Sequence, residues 1–510
     1  MGSTMVRGKY LIAGASGPGE VAVLEDGAFF QRDGIIVEVG MYADLAGRYR
    51  ADETLGSPRH VVMPGLVNGH HHVGLTPLQL GSPDYPLELW LASRMAARDV
   101  DPYLDTLYSA FEMIESGVTT VQHLHGMRRG PVAAWPDRAR RVLEAYRDIG
   151  MRTSYAFGIR DQNLLVYGAD DEFVRGLPAA LQPEMAEWFA GLRITVDDWA
   201  RDLFVGLYED WGQNKNDLVR IWLAPTNLHW CSDELLVRVK EQARKFGAGI
   251  HIHLLETAYQ KLYAQRRWGR SAVHHLHELG FLGPEVTLGH GVWLTEDDIE
   301  RLVETGTAVC HNASSNLRLQ SGIAPVNRLL ARGVRVALGI DEAGLNDDRD
   351  MLQEIRLVLK LHRLPGHDQR VPTAAEVFGM ATEGGAHTTG FAARIGRIAA
   401  GRSADAVLID LRNVTEPYLD PLTPILDGVV HRARSRDVET VMIAGEVVMR
   451  DRTFTRVDKD AVLRELAASL RAPLRPDEVR RRELTRELLP HVRRFYADWR
   501  PDVGEDRRRP

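Results

Sequence analysis

Residues 61–72 read Val61-Val62-Met63-Pro64-Gly65-Leu66-Val67-Asn68-Gly69-His70-His71-His72. In a strand, side chains alternate between faces. His70 and His72 then share one side and His71 takes the other. Two imidazoles two residues apart on one strand face can chelate a single divalent metal. The opposite register offers nothing, because Gly69 cannot partner His71. A surface cluster or a tag remnant is the plain alternative, and a position far from the terminus inside an apolar segment argues against a tag.

Working outward, short β-rich runs recur at 61–72, 119–125, 152–159, 219–225, 249–254, 286–292, 308–312 and 334–341. Amphipathic stretches at 102–115, 138–149 and 233–246 lie between some of them. Strand–helix units in that number predict an α/β fold, a (β/α)8 TIM barrel, over residues 61–399. A doubly wound sheet would show a Gly-rich phosphate loop after its first strand, and none is present. The flanks, residues 1–60 and 400–456, read as short strands with turns. Each is too small alone, and together they predict one composite β-sandwich built from both ends of the chain. Met1-Gly2-Ser3-Thr4 reads as a cloning scar outside the fold.

Two segments interrupt the barrel rhythm. The insertion 162–218 carries Trp188, Phe189, Trp199, Phe204, Tyr208 and Trp211 at helical spacing. It reads either as plain packing or as a lid or subunit contact. Residues 457–510 form a helical, arginine-rich extension. Its clusters Arg480-Arg481-Arg482 and Arg507-Arg508-Arg509 read as solvated faces.

Composition narrows the function classes. The chain of 510 residues is 44% hydrophobic and 26% charged, which excludes whole-chain disorder. A net charge of -7 with mixed signs argues against a nucleic-acid partner. The two cysteines, Cys231 and Cys310, exclude a disulfide scaffold and suggest a reducing cytoplasm. No apolar run is long enough to span a membrane, and no signal segment opens the chain.

Several predicted strands end in chemically capable residues. His251-Ile252-His253 is followed by Glu256, an acid able to move protons beside a metal ligand. Gly289-His290-Gly291 places an imidazole between residues that permit close approach. Residues 336–341 are an apolar strand closed by Asp341, a charge that needs a partner or a metal there. Each feature has a bland counterpart, a hydrogen-bonded core histidine or a helix cap. Their order on successive strands gives them weight.

Carrying these features, the chain resembles the amidohydrolase superfamily, in its mononuclear branch of chlorotriazine hydrolases and purine or cytosine deaminases. The matching stretches are PGLVNGHHH (64–72), PLELWL (86–91), ESGVTT (115–120), HLLET (253–257), GHGVWL (289–294), HNASSNLRL (311–319), SGIAPV (321–326) and ALGID (337–341). The resemblance implies a TIM barrel and one divalent metal per subunit. Zinc is the leading ion, with iron, cobalt or manganese as alternatives. It implies His70, His72, His253 and Asp341 as ligands, and Glu256, His290 and Asp341 as the proton-transfer and charge-stabilising groups. The two-metal branch uses a lysine on the fourth strand, and 219–225 has none. It also implies a small-molecule substrate and a homodimer or higher oligomer.

Departures from the deaminase pattern concern the pocket. Thr226 stands where purine deaminases carry a substrate-binding histidine, Gln79 replaces an arginine, and Glu342 follows the metal aspartate. His123 and His125 add imidazoles at the second strand end. These features resemble phenylurea and molinate-type hydrolases, some of which have asparagine at a histidine ligand position that this chain keeps. Gln79, His123, His125, Trp230, His311 and Glu342 are therefore the substrate-binding candidates. Core packing is the alternative for His125, Trp230 and His311, and His274, His275 and His277 read as ordinary packing residues. The expected reaction is hydrolysis of a non-peptide carbon–nitrogen bond in an amide, urea or carbamate-like compound. The alternative is deamination of a purine, pyrimidine or triazine ring, and a non-catalytic barrel is the third reading.

Overall fold

The computed structural model describes residues 2–17, 19–126, 130–212, 217–367 and 370–503. Arg507-Arg508-Arg509 lies outside the described residues. Parallel strands form two sheets that share the barrel-forming part of the chain. One runs Val219–Ile221, Arg152–Ile159, Val118–His125, Leu66–His71, with Ala224–Pro225 continuing beside Arg152–Ile159. The other runs Ile250–Leu254, Val286–His290, Ala308–His311, Val336–Leu338. Isolated parallel bridges join their edges: His71 to Asp341 on one side, Leu223 to Ile250 and Asn227 to His253 on the other. These strands are buried along nearly their whole length, as parallel strands covered by helices must be.

The opening stretch is not one strand. It breaks at Pro64-Gly65 into His60–Pro64 and Leu66–His71, which belong to different sheets. His60–Pro64 pairs antiparallel with Ala406–Asp410 and parallel with Tyr10–Gly17. It sits in a seven-stranded sheet ordered Thr453–Phe454, Glu446–Arg450, Val438–Ile443, Ala406–Asp410, His60–Pro64, Tyr10–Gly17, Glu20–Glu25. Gly65 makes the break possible, because a Cβ there would lie 2.1 Å from Thr119 Oγ1. A second sheet, ordered Ile35–Met41, Gly27–Arg32, Ser3–Arg7, Glu53–Leu55, lies against it. Val6, Phe29 and Ile36 of that sheet pack with Leu11, Val62, Leu408 and Met442 of the first. Ser3 and Thr4 are strand residues and so part of the fold rather than outside it. Ser3 is held by both its backbone N–H and its hydroxyl on Asp52 Oδ2, at 2.8 and 2.9 Å.

The terminal sheet is tied to the parallel strands by a buried ion pair. Arg152 donates to Asp405 at 2.8 and 3.2 Å, and Asp405 also accepts from Ala444 N–H at 2.9 Å. Arg152 is fully buried. Arg152→Ala leaves the Asp405 carboxylate without its counter-charge and is expected to destabilise the protein by about 3–5 kcal/mol, measured by denaturant unfolding. A loss below about 1 kcal/mol would contradict this coupling.

The insertion packs rather than projects: Phe189, Trp199 and Phe204 are buried in the main core. The extension forms two helices, Lys459–Arg471 and Pro476–Phe495. The second helix and the residue that follows it bond to two loops of the barrel-forming part. Glu478 accepts from Asp99 N–H at 3.0 Å, and the Tyr496 hydroxyl accepts from Tyr167 N–H at 3.1 Å. Arg480 is paired with Glu184 of the insertion, so this cluster is not purely solvated. No helix of the described residues is long and apolar enough to cross a membrane, and both cysteines are buried and outside any disulfide.

Candidate metal centre

The carboxyl ends of the parallel strands bring four donor atoms together. His70 Nε2 lies 3.1 Å from His72 Nε2, which lies 3.0 Å from His253 Nε2. Asp341 Oδ1 lies 3.5 Å from His70 Nε2 and 3.2 Å from His72 Nε2. Alternation accounts for the first pair, and His71 points away to Ser109 Oγ at 3.2 Å and the Asp341 carbonyl at 3.3 Å. Close packing serves the cluster. A Cβ on Gly339 would lie 2.5 Å from His70 Cβ, and one on Gly289 would lie 3.0 Å from His70 Cε1. His290 and Asp341 both have left-handed backbone, at φ 73° and 65°, a costly conformation for residues with side chains.

The donor chemistry fits a divalent cation. His72 Nδ1–H donates to the Leu124 carbonyl at 2.6 Å, and His253 Nδ1–H donates to the Thr226 carbonyl at 2.6 Å. Each ring is thereby fixed as the tautomer with a bare Nε2. In the neutral rings two Nε2 lone pairs face each other at 3.0 Å, and a cation between them would be ligated by both; without one, burial disfavours charge on His72 but Asp341 outweighs it and raises the pKa of that ring. His70 Nδ1 meets His251 Nε2 at 2.8 Å, so His251 supports a candidate ligand from the layer beneath. Ser315 Oγ donates to Asp341 Oδ2 at 2.5 Å, orienting the carboxylate.

Two further groups flank the cluster. Glu256 is 3% exposed, and burial, followed by the charges of Asp341 and Glu88, pushes its carboxyl well above the ordinary range. One of its oxygens, Oε1, has no hydrogen-bond partner among the described residues. His290 Nε2 lies 3.7 Å from Glu256 Oε2 and 3.9 Å from Asp341 Oδ2. Its Nδ1–H donates to Asn316 Oδ1 at 2.8 Å, and burial holds the imidazole below its usual pKa.

These groups open into one cavity. Its walls are largely apolar, from Leu87, Trp90, Leu164, Leu165, Trp188 and Trp230. Of the substrate-binding candidates, Trp230 and Glu342 line it, and Glu342 pairs with Arg94 on the same wall. His123 and His125 line a smaller adjoining cavity that shares His72, Val73 and Arg94. Their Nδ1 atoms meet the hydroxyls of Tyr146 and Tyr155 at 2.8 and 2.7 Å. Gln79 and His311 lie off the walls of both cavities. Gln79 is turned into its own loop, accepting from Thr76 N–H at 2.8 Å and donating to Tyr108 at 2.9 Å. His311 is fully buried, with Nε2 3.0 Å from His362 Nε2. Arg94, Arg160, Leu164, Leu165 and Asn227 are wall residues outside the sequence expectations.

Comparison with known proteins gives the chain a family. The profile of the amidohydrolase family matches residues 61–448. A 5-methylthioadenosine/S-adenosylhomocysteine deaminase of Syntrophobacter fumaroxidans is 34% identical over 451 residues, covering 88% of this chain and 91% of that protein. A 5'-deoxyadenosine deaminase of Methanosarcina mazei is 30% identical, covering 91% and 97%. A zinc-bound adenosine deaminase from Xanthomonas campestris superposes with a TM-score of 0.73 at 26% identity, covering 94% and 98%. Atrazine chlorohydrolase from Arthrobacter aurescens shares the fold, with a TM-score of 0.78 at 21% identity and 91% and 99% coverage. Likeness over nearly the full length of these proteins, and a family match that begins in His60–Pro64 and ends in Glu446–Arg450, lead to one placement. The chain belongs to the amidohydrolase family, as a hydrolase of carbon–nitrogen bonds.

Proposed function

We propose that this protein is a metal-dependent aminohydrolase that replaces an amino group on a nitrogen heterocycle by water and releases ammonia. The observation that carries the reading is Glu256, a buried acid facing the same cavity as His72, His253 and Asp341 of the donor cluster. An amine leaves poorly as an anion, so cleavage needs an acid at that place. The choice of ammonia rests on the adenosine-type deaminases among the relatives. It reverses the order reached from sequence, where amides and ureas stood first.

His70, His72, His253 and Asp341 would hold the ion, with zinc favoured by the zinc-bound neighbour. A bound divalent ion supplies Lewis acidity and lowers the pKa of a water from ~15.7 to about 7. Asp341 and His290 then flank the attacking water as proton acceptors. A protonated His290 presents Nε2–H to the oxygen where charge develops, while Asn316 fixes its ring. Glu256 delivers its proton to the departing nitrogen. The apolar walls exclude water and strengthen these interactions. The same reading takes the bridged parallel strands as a closed (β/α)8 barrel and the two terminal sheets as a composite sandwich, supported by the pairings at both edges.

A second reading is hydrolysis of an N-substituted amide or urea, favoured by the cavity itself. Thr226 lines it with its hydroxyl donated to the Ile159 carbonyl at 2.9 Å, and tryptophans and leucines dominate the rest. A turnover panel decides between them, containing 5'-deoxyadenosine, 5-methylthioadenosine, S-adenosylhomocysteine, guanine, cytosine, a phenylurea and an anilide. Ammonia and free organic amine are assayed in parallel. Ammonia from a heterocycle is the expected result, and aniline release without ammonia would overturn it.

A further inference from the structure

The cavity contains a cation that the proposed chemistry leaves unused. Arg160 follows directly on the strand Arg152–Ile159, and its guanidinium lies 5.1 Å from the centre of the Trp230 ring. Both residues line the cavity of the candidate metal centre. Arg160 Nε and Trp230 Nε1 are buried donors without a hydrogen-bond partner. Among the described residues no carboxylate forms an ion pair with Arg160. Asp170 exerts a Coulombic influence on it, but that carboxylate accepts from Leu164 N–H at 2.6 Å and faces Arg193 at 3.6 Å. The other wall arginine, Arg94, is matched by Glu342.

The guanidinium is only partly withdrawn from water, but its Nε is buried with no acceptor, which is unfavourable until one is supplied. Burial lowers the Arg160 pKa to about 10, which still leaves the group charged at neutral pH. Two orphan donors on residues that line one cavity, with the guanidinium over the indole ring, call for an acceptor, and the positive charge of one calls for an anion. A carboxylate matches the guanidinium fork and leaves a lone pair for the indole N–H. Leu164, Leu165, Trp188 and Leu192 supply apolar wall in the same cavity for the body that would carry it. We propose that the substrate carries, besides the carbon–nitrogen bond that is broken, a carboxylate on an apolar or aromatic body that docks against Arg160 and Trp230. The inference rests on this cavity being the substrate site, and it holds whether the leaving group is ammonia or an organic amine.

Binding tests it separately from turnover. Calorimetric titration of the metal-loaded protein compares 3-phenylpropionate with 3-phenylpropionamide, which differ in charge but hardly in shape. Wild type is expected to bind the carboxylate about 10- to 100-fold more tightly, the range of a charge-assisted hydrogen bond. Arg160→Gln should remove most of that preference with metal content and unfolding temperature retained. Trp230→Phe, which keeps the ring and removes the N–H, should reduce it by a smaller factor. Should Arg160→Gln fail to fold, Arg160→Lys is expected to give an intermediate preference, since it keeps the charge and loses the fork. Equal binding of the two compounds, no measurable carboxylate binding, or a preference that survives Arg160→Gln would each overturn the proposal; the last would place the anion at the metal. Failure of ammonia release in the turnover panel would count against the proposed reaction and leave this docking result standing.

Discussion

Glu256→Gln is expected to lower kcat by about 10²- to 10⁴-fold, the usual contribution of a positioned general acid. Metal content and unfolding temperature should stay close to wild type. Glutamine is nearly isosteric and can keep the acceptor geometry toward His290, but it has no proton to give. The pH profile adds a second readout. Burial and the neighbouring carboxylates keep the Glu256 proton bound above the ordinary glutamate range. The acid form is the active one, so kcat should fall as pH rises through that raised value. The variant should lack this limb. A variant that retains most of wild-type kcat, or the same alkaline limb, would remove Glu256 from the mechanism.

Loss of the ion should be still more damaging. His253→Ala deletes one of the four converging donors while leaving the Thr226 carbonyl free to bind water. An ion of this kind supplies several kcal/mol of charge stabilisation, so activity is expected to fall by about 10³-fold or more. Wild type should also gain thermal stability as free Zn²⁺ is raised, because a ligand bound only by the folded state shifts unfolding by mass action. His253→Ala should show little of that response. Metal analysis and calorimetric scans check both points. Full activity in the variant would mean that the facing lone pairs of His72 and His253 have another explanation.

The candidate site was legible where backbone periodicity dictates side-chain direction. Alternation alone separated His70 and His72 from His71, and charge at the end of a buried strand singled out Asp341. The same rule applies to Arg160, a charge that follows directly on the buried strand Arg152–Ile159, so a signal for the proposed docking cation was present. Gln79 and His311 show the limit of that logic. Gln79 lies in a loop, where local hydrogen bonds to Thr76 and Tyr108 set its direction. His311 ends a strand as the ligands do, yet its ring meets His362 from a residue 51 positions away, which no local pattern foretells.

Fold class was legible for a similar reason, since strand–helix alternation is a chain-local property. The division at Pro64-Gly65 was not. Nearly every residue of 61–72 is buried, and what separates the two halves is pairing of the first with Ala406–Asp410, more than three hundred residues away. The strand at Ser3–Arg7 likewise exists through its partners Gly27–Arg32 and Glu53–Leu55. Leu164, Leu165 and Trp188 became cavity walls because the insertion folds back over the strand ends, a tertiary outcome that its amphipathic spacing does not encode.

The central claim is that one ion held by His70, His72, His253 and Asp341 drives release of ammonia. Stepwise return of Zn²⁺ to metal-stripped protein, with ammonia formation followed on the best heterocycle of the turnover panel, tests it most directly. The account predicts activity that rises linearly from background and levels off at about one equivalent of zinc per chain. Ammonia release by the stripped protein, or a plateau reached only at about two equivalents, would contradict it.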